Sequence, residues 1–372
     1  MARLLLMLRK LTPARSLLLF VLLVPFYYEF FSYVLQSLRW QSLHLPDSDP
    51  SEQHRILFVA DPQLQGFKDE HPTFGYITRW DADRYLKRTF QLAISHHRPD
   101  TIVYLGDLLD EGSPAEDQEY SVYYHRFMDV FATSPDITNV YMSGDNDVGG
   151  EGFDLRTDFK VNRFKKFFKE KFLVPTRYID YFISHYNSGI QLPEEDVAKV
   201  VPNAKKPVRV LLSHMNLMTS QRENFMQLLQ TVKPNIIFTA HTHIAHLFTC
   251  LDCNSDKPSG RGHHWFGGSK QMKDSSIYPF NILNTTAVHE IVVPSCSYRM
   301  GVPEMGYGAA IIDKYGHVRY TVLWLPSRYH QLFGYLVSLV CLLCWCCCHH
   351  VCLRNKQPYG YSYKTNFPPK SW

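Results

Sequence analysis

The chain has 372 residues, 45% hydrophobic and 20% charged, enough for one large core or two modest ones. Its formal net charge of +4 is unevenly placed: Arg3, Arg9, Lys10 and Arg15 precede the first apolar run, Arg354, Lys356, Lys364 and Lys370 follow the last, and no acid accompanies either group. Without those tails the 39 basic residues fall below the 35 acidic ones, which argues against a nucleic-acid binder, and no nucleic acid is expected as a partner.

Leu17 to Val34 is apolar apart from Glu29 and Ser32, and Leu332 to Val351 holds no Asp, Glu, Lys or Arg. Either run could cross a hydrocarbon core about 30 Å thick. The first could also be a signal peptide, but it is long for one and no small-x-small cleavage site is evident. Basic residues outside both runs put both ends in the cytoplasm by the positive-inside rule. The expected organisation is a cytoplasmic tail (1–15), a transmembrane helix (16–37), a linker (38–54), a lumenal domain (55–326), a second transmembrane helix (331–352) and a cytoplasmic basic tail (353–372). Glu29 inside a span should face a partner or lie near the interface. Of nine cysteines, Cys341, Cys344, Cys346, Cys347, Cys348 and Cys352 lie in or beside the second run, either facing lipid or open to palmitoylation. Cys250, Cys253 and Cys296 belong to the middle, where an oxidising lumen favours one disulfide among them and leaves one thiol free. Asn284-Thr285-Thr286 is a glycosylation sequon.

Arg55 to Ala60 has the composition of a buried strand. Asp81 to His97 carries Tyr85, Leu86, Phe90 and Ile94 on one helical face, with Asp81 as its cap. Strands follow at 101–105 and 138–142, separated by a helix at 120–131. Asp158 to Phe172 reads as a basic amphipathic helix, either a solvated face or a surface for anionic headgroups. Strands at 178–184, 208–212 and 235–239 enclose a helix at 220–232, and 253–284 reads as a long loop. Strands at 289–293, 308–313 and 317–325 complete the body. Strand–helix alternation followed by strands implies two packed sheets flanked by helices.

Five strand-like runs end in side chains that bind hard or borderline metals: Asp61, Asp107, Asp145 with Asn146, His214, and His241 with His243. One such residue is an ordinary turn feature. Five at the same end of successive strands suit a pair of cations roughly 3.5–4 Å apart sharing one carboxylate, for which Asp107 is the natural bridge. His241 and His243 alternate in extended backbone, so a local kink must aim both inward.

The motifs Asp61-Pro-Gln63, Gly106-Asp107-Leu-Leu-Asp110, Gly144-Asp145-Asn146-Asp147, His214 and Ala240-His241-Thr-His243 resemble those of the calcineurin-like metallophosphoesterases, over roughly residues 55–325. That resemblance implies a four-layer αββα metallophosphoesterase sandwich, here flanked by an N-terminal and a C-terminal transmembrane helix. It implies a metal-dependent phosphoesterase with two divalent ions, Mn²⁺ being expected. Asp61, Asp107 and His243 would hold one ion and Asp107, Asp145, His214 and His241 the other. Gln63 stands where the family has a histidine ligand, and its amide oxygen suits Mn²⁺ or Mg²⁺ better than Zn²⁺. Asn146 replaces the histidine that assists the leaving group, and an amide is no general acid at neutral pH. His185, His246, His289 or metal-bound water could supply that proton.

Gly106 to Gly112, His289 to Arg299 and the two apolar runs further resemble the membrane-anchored branch that removes ethanolamine phosphate from a mannose of the GPI-anchor glycan. This implies GPI-anchored proteins and their glycan as substrate, support of their ER-to-Golgi transport, a place in ER exit sites, the ER–Golgi intermediate compartment or cis-Golgi, contact with the lipid bilayer, and cargo receptors or coat proteins at the cytoplasmic tail. The rival readings are a lumenal phosphoesterase for another lipid or glycan phosphoester, and a non-catalytic metal-binding protein that sorts cargo.

Overall fold

A computed structural model describes residues 13–46, 48–184, 201, 204–220, 229–253 and 266–354. His185, most of the expected 220–232 helix and the basic C-terminal tail lie outside them. The described chain falls into two units, an α/β body at Ser32–Arg328 and a second unit formed by the two terminal segments.

In the terminal unit, α1 (Pro13–Phe26) runs into a π-helical turn (Tyr27–Phe31), then into α2 (Ser32–Ser37), whose residues belong to the body. The long C-terminal helix covers Arg328–Arg354. Leu19–Ser37 and Arg328–Cys348 are long and apolar enough to cross a membrane. Glu29 has a partner, since the Tyr335 hydroxyl donates to its carboxylate at 2.8 Å. Each charge-bearing or polar group in an apolar helix needs such a bond.

In the body, β1 (Gln53–Val59), β2 (Thr101–Leu105) and β3 (Thr138–Met142) are parallel neighbours. α3 (Gly75–His97) follows β1, α4 (Asp117–Val130) follows β2, and α5 (Asp145–Val148) and α6 (Asp158–Phe168) follow β3. Next come β4 (Leu173–Pro175), β5 (Ile179–Ser184), β6 (Val208–Ser213), α7 (Leu217–Ser220) and β7 (Ile236–Thr239). Then β8 (His246–Cys250), β9 (Phe266–Gln271), β10 (Tyr278–Asn281), β11 (Val288–Val292), β12 (Gly306–Asp313) and β13 (His317–Trp324) lead to the C-terminal helix, α8.

One sheet has the order β10-β13-β12-β1-β2-β3 and the other β4-β5-β6-β7-β11-β8-β9. Alternation along each strand sends one set of side chains between the sheets and the other outward. Ile56, Phe58, Val103 and Val140 of the first sheet meet Val210, Leu212, Ile236 and Phe238 of the second, with Phe58 and Phe238 stacked at 4.0 Å. The alternate residues Leu57, Val59, Ile102 and Tyr104 face Leu86, Phe90, Tyr123 and Phe127 of α3 and α4. Phe182, Leu211 and Ile237 pack outward against Leu217, Leu229 and Val232. The result is the αββα sandwich.

Three expectations change. Asp81 is not a cap: α3 begins six residues earlier, at Gly75, and Asp81 pairs with Arg328 from inside the helix. The stretch 253–284 is not all loop but carries β9 and β10, edge strands held by pairing to β8 and β13. The segment before β1 is polar overall, yet Trp40, Leu43 and Leu45 are buried in the core beneath α3. In α6, Arg163 turns inward and donates to the carbonyls of Gly112 and Ala115, so this basic residue braces the turn after β2.

Candidate metal centre

The parallel strands bring their carboxyl ends to one rim, where open α/β sheets place their sites. Asp61 follows β1, Asp107 follows β2, Asp145 opens α5 after β3, His214 follows β6, and His241 and His243 follow β7. Asp61, Gln63, Asp107, His241 and His243 all have positive φ, between 39° and 65°. Such conformations cost on the order of 1–3 kcal/mol each in non-glycine residues and persist only where surrounding structure holds them. They turn each side chain out of the strand direction, and for His241 and His243 they supply the kink that alternation requires. The Thr242 amide donates to the Ala240 carbonyl at 2.8 Å within that kink.

Two glycines make the approach possible. A Cβ on Gly106, whose φ is +89°, would lie 2.6 Å from His214 Nδ1, and one on Gly144 would lie 2.1 Å from Asp107 Oδ1. Hence Gly-Asp recurs at both strand ends: Gly106 admits His214 from the facing sheet, and Gly144 admits Asp107 from the neighbouring strand.

Asp107, Asp145, His214 and His241 each place a ligand atom so that all lie within 4.8 Å of one another. His214 Nε2 is 3.0 Å from Asp145 Oδ1 and 3.4 Å from Asp107 Oδ1, and His241 Nδ1 is 3.4 Å from Asp145 Oδ1. His214 Nδ1 donates to the Leu105 carbonyl at 2.8 Å, which fixes the tautomer and leaves the Nε2 lone pair toward the cluster. Asp107 is steadied by the Asn146 backbone and side-chain amides, both at 3.0 Å, and by Gln63 Nε2 at 3.1 Å.

The donor set fits divalent cations. Both Asp61 carboxylate oxygens, Asp145 Oδ1 and His214 Nε2 are buried and make no hydrogen bond. Burial pushes the Asp61 carboxyl well up, repulsion from Asp107 adds to this, and His214 opposes it. Burial alone would lower His214, but Asp107 and Asp145 raise it well above the usual imidazole range. Buried acceptors without donors, and imidazoles drawn toward protonation by carboxylates, mark a pocket built around positive charge. Carboxylate and imidazole together suit Mn, Fe or Zn.

Gln63 and Asn146 are therefore present at the cluster, with their NH₂ groups directed to Asp107 as the amides are oriented. His243 follows it closely in sequence, and burial lowers its pKa. His246 opens β8 at the same rim, stacked on Phe248 at 4.6 Å. His289 is elsewhere. It is paired with Ile236 at the start of β7, roughly 16 Å along the strand direction from His241, and bonds to Thr249 Oγ1 at 3.0 Å.

Two carboxylates without a role in the sequence reading hold the site's loops. Asp147, fully buried, accepts from the amides of Leu108, Leu109 and Gly144 at 3.1, 2.9 and 2.9 Å, tying the Asp107 loop to the Asp145 loop. Glu290, also fully buried, accepts from the amides of Leu217 and Met218 at 2.9 and 2.7 Å and from Thr239 Oγ1 at 2.9 Å, bracing the turn after His214. An acid inside an apolar strand, as in His289-Glu290-Ile-Val-Val293, was the available signal for Glu290. Cys250 and Cys253 form the disulfide, and Cys296 is the buried free thiol.

A sequence profile for calcineurin-like phosphoesterases matches residues 54–245. The chain belongs to that family, and its donor cluster is one that could hold a divalent metal ion. It is similar to Cell division control protein 1 of Saccharomyces cerevisiae, at 23% identity over 68% of this chain and 54% of that protein. It is also similar to the Metallophosphoesterase 1 homolog of Drosophila melanogaster (31% identity, 31% of this chain, 30% of that one) and Metallophosphoesterase 1 of Xenopus laevis (30%, 40% and 36%). The matched stretches thus span about half or less of these relatives' own length. Among solved structures, a metallophosphoesterase from Sphaerobacter thermophilus aligns over 74% of this chain and 89% of its own, with 12% identity and a TM-score of 0.33.

Proposed function

We propose that this protein is a manganese-dependent, membrane-anchored phosphodiesterase that removes ethanolamine phosphate from a mannose of the GPI-anchor glycan, and so supports ER-to-Golgi transport of GPI-anchored proteins. The observation that carries the chemistry is the convergence of Asp107, Asp145, His214 and His241 at one rim. The GPI substrate is supported by the resemblance of Gly106–Gly112 and His289–Arg299 to the GPI-remodelling branch. The second of these segments lines the site: Ser295 Oγ donates to the Asp61 carbonyl at 2.9 Å, and the Cys296 amide to the Ala60 carbonyl at 3.0 Å.

In this reading Asp61, Asp107 and His243 hold one cation, Asp107, Asp145, His214 and His241 the other, and Gln63 contributes its amide oxygen after a flip of its side chain. Divalent cations bound there supply an activated water and neutralise phosphoryl oxygens. The protein's part is alignment: Leu105 fixes the His214 tautomer, and Asn146 orients Asp107 through two donors. Asn146 gives the leaving group no proton. Of the candidate donor histidines among the described residues, His246 is at the rim and His289 is not. Burial lowers the His246 pKa, so its protonated fraction is small near neutrality and the pH–rate profile should fall as pH rises.

In the same reading, tails 1–15 and 353–372 lie in the cytoplasm and 55–326 in the lumen of the early secretory pathway. Asn284, exposed in the β10–β11 turn, would then be open to glycosylation. The test is mass spectrometry of the GPI glycan in cells lacking the protein and re-expressing Asp107→Ala. Retained ethanolamine phosphate, with normal amounts of folded protein, is expected. Normal glycan would defeat the catalytic reading and favour non-catalytic sorting.

A further inference from the structure

The rim that carries the metal centre also exposes large apolar side chains. At the start of α3, Phe74, Tyr76, Ile77 and Trp80 are 59%, 65%, 44% and 59% exposed, and in the loop after β3 Phe153 and Leu155 are 105% and 75% exposed. The first segment follows Asp61 and Gln63, the second follows Asp145. Tyr76, Ile77 and Trp80 share one helical face by their i, i+1, i+4 spacing. Arg84 lies over the Trp80 ring at 4.9 Å, joining a cation to an aromatic as side chains at a membrane–water boundary do.

Within the body, the residues from which the chain leaves toward its two apolar segments lie at this same place. β13 is antiparallel to β12, and β12 to β1, so β13 ends where β1 ends. Its last residue, Trp324, pairs with Gly306, whose amide donates to Ser295, and Ser295 bridges Ala60 beside Asp61. Four residues on, Arg328 forms a two-point ion pair with Asp81, next to Trp80, at 3.0 and 2.5 Å. At the other junction, Tyr33 packs against Tyr85 at 6.1 Å beneath Arg88, while Gln36 and Trp40 donate to the Trp324 carbonyl at 3.0 and 2.7 Å. α3 therefore receives both connections within about two turns of its exposed stripe.

We propose that the metal-bearing rim docks on the lipid bilayer, with the α3 stripe and the Phe153–Leu155 loop at headgroup depth, so that the centre faces phosphodiesters held close to a membrane surface. This rests on the reading that the two apolar helices cross that bilayer. A bilayer is the occupant favoured because the stripe is continuous with the two points where the chain turns into apolar helix. Its aromatic and arginine composition matches an interfacial belt.

The test is photo-crosslinking of the full chain in phosphatidylcholine nanodiscs. A benzophenone amino acid is placed in turn by Ile77→p-benzoylphenylalanine, by Phe153→p-benzoylphenylalanine and, as control, by Tyr315→p-benzoylphenylalanine in the β12–β13 turn at the opposite end of the sheets. Each variant must melt at the wild-type temperature. Phospholipid adducts at 77 and 153, at least about tenfold above those at 315, are expected if the side chains lie at the interface. No adduct at either position, equal labelling at 315, or a crosslinked dimer would overturn the docking. Carbonate extraction separates the two levels: a chain released from native membranes refutes the spanning helices and the docking with them, and a retained chain without lipid adducts refutes the docking alone. The glycan measurement above is independent of both.

Discussion

Replacing Gly144 with alanine adds one carbon, and the structure fixes where it goes. The backbone at Gly144 is extended, with φ −105°, so alanine is conformationally allowed there. The new Cβ would sit 2.1 Å from Asp107 Oδ1 and 2.4 Å from the Asp107 amide nitrogen, against an ordinary contact of 3.4–4 Å. The amide cannot yield without disturbing the Asp107 turn, which the Asp147 carboxylate pins at Leu108 and Leu109. Relief therefore moves the Asp107 carboxylate by an ångström or more, away from His214 and Asp145. A displacement of about 1 Å can cost on the order of 10²-fold in rate. The assay is hydrolysis of bis(p-nitrophenyl) phosphate with saturating Mn²⁺, together with calorimetric Mn²⁺ binding. Gly301→Ala is the control: its φ of +69° strains an added side chain but nothing lies within 4 Å of the new atom, so stability drops modestly and turnover holds. Turnover and Mn²⁺ affinity of Gly144→Ala within threefold of wild type would refute the steric argument.

The remaining predictions concern the scaffold. His97 is buried, its Nε2 is 3.1 Å from the Ala310 carbonyl, and burial pushes its pKa down to about 4 from 6.5. The unfolded chain then binds a proton below pH 6.5 that the native chain refuses until about pH 4, so stability falls as pH drops through that window. Denaturant unfolding from pH 7 to 4 should show His97→Gln losing about 3 kcal/mol less than wild type; parallel curves would refute it. Glu290→Gln replaces one acceptor oxygen with a donor facing a buried donor and should cost about 1–3 kcal/mol, weakening Mn²⁺ binding through the His214 turn. Unchanged melting and metal affinity would remove Glu290 from that role. Phe58→Ala should cost about 3–5 kcal/mol by denaturant unfolding, because it opens the inter-sheet stack on Phe238.

The strands that carry the candidate ligands were legible because burial on both faces gives them unbroken apolar runs, and because each ends abruptly in a polar residue that a core strand would not tolerate. Boundaries failed where tertiary contacts override local pattern. Gly75 to Trp80 lacks a side-chain cap and shows aromatic residues to the outside, so periodicity points to a start at Asp81. The Phe266–Gln271 strand contains Gly-Gly-Ser-Lys and owes its form to pairing with β8 rather than to propensity. Asp147 and Glu290 were not singled out because their partners are backbone amides contributed mainly by other elements. Register places His289 at the start of β11, away from the rim that Ser295 of the same motif reaches.

Metal content tests the central claim most directly. Full-length chain dialysed against Mn²⁺ and then freed of excess should carry two equivalents by inductively coupled plasma mass spectrometry. Asp107→Asn, at the carboxylate proposed to be shared, should lose most of both while its melting temperature in the absence of metal is kept. Two equivalents retained by Asp107→Asn, or none bound by the wild-type chain, would contradict the account.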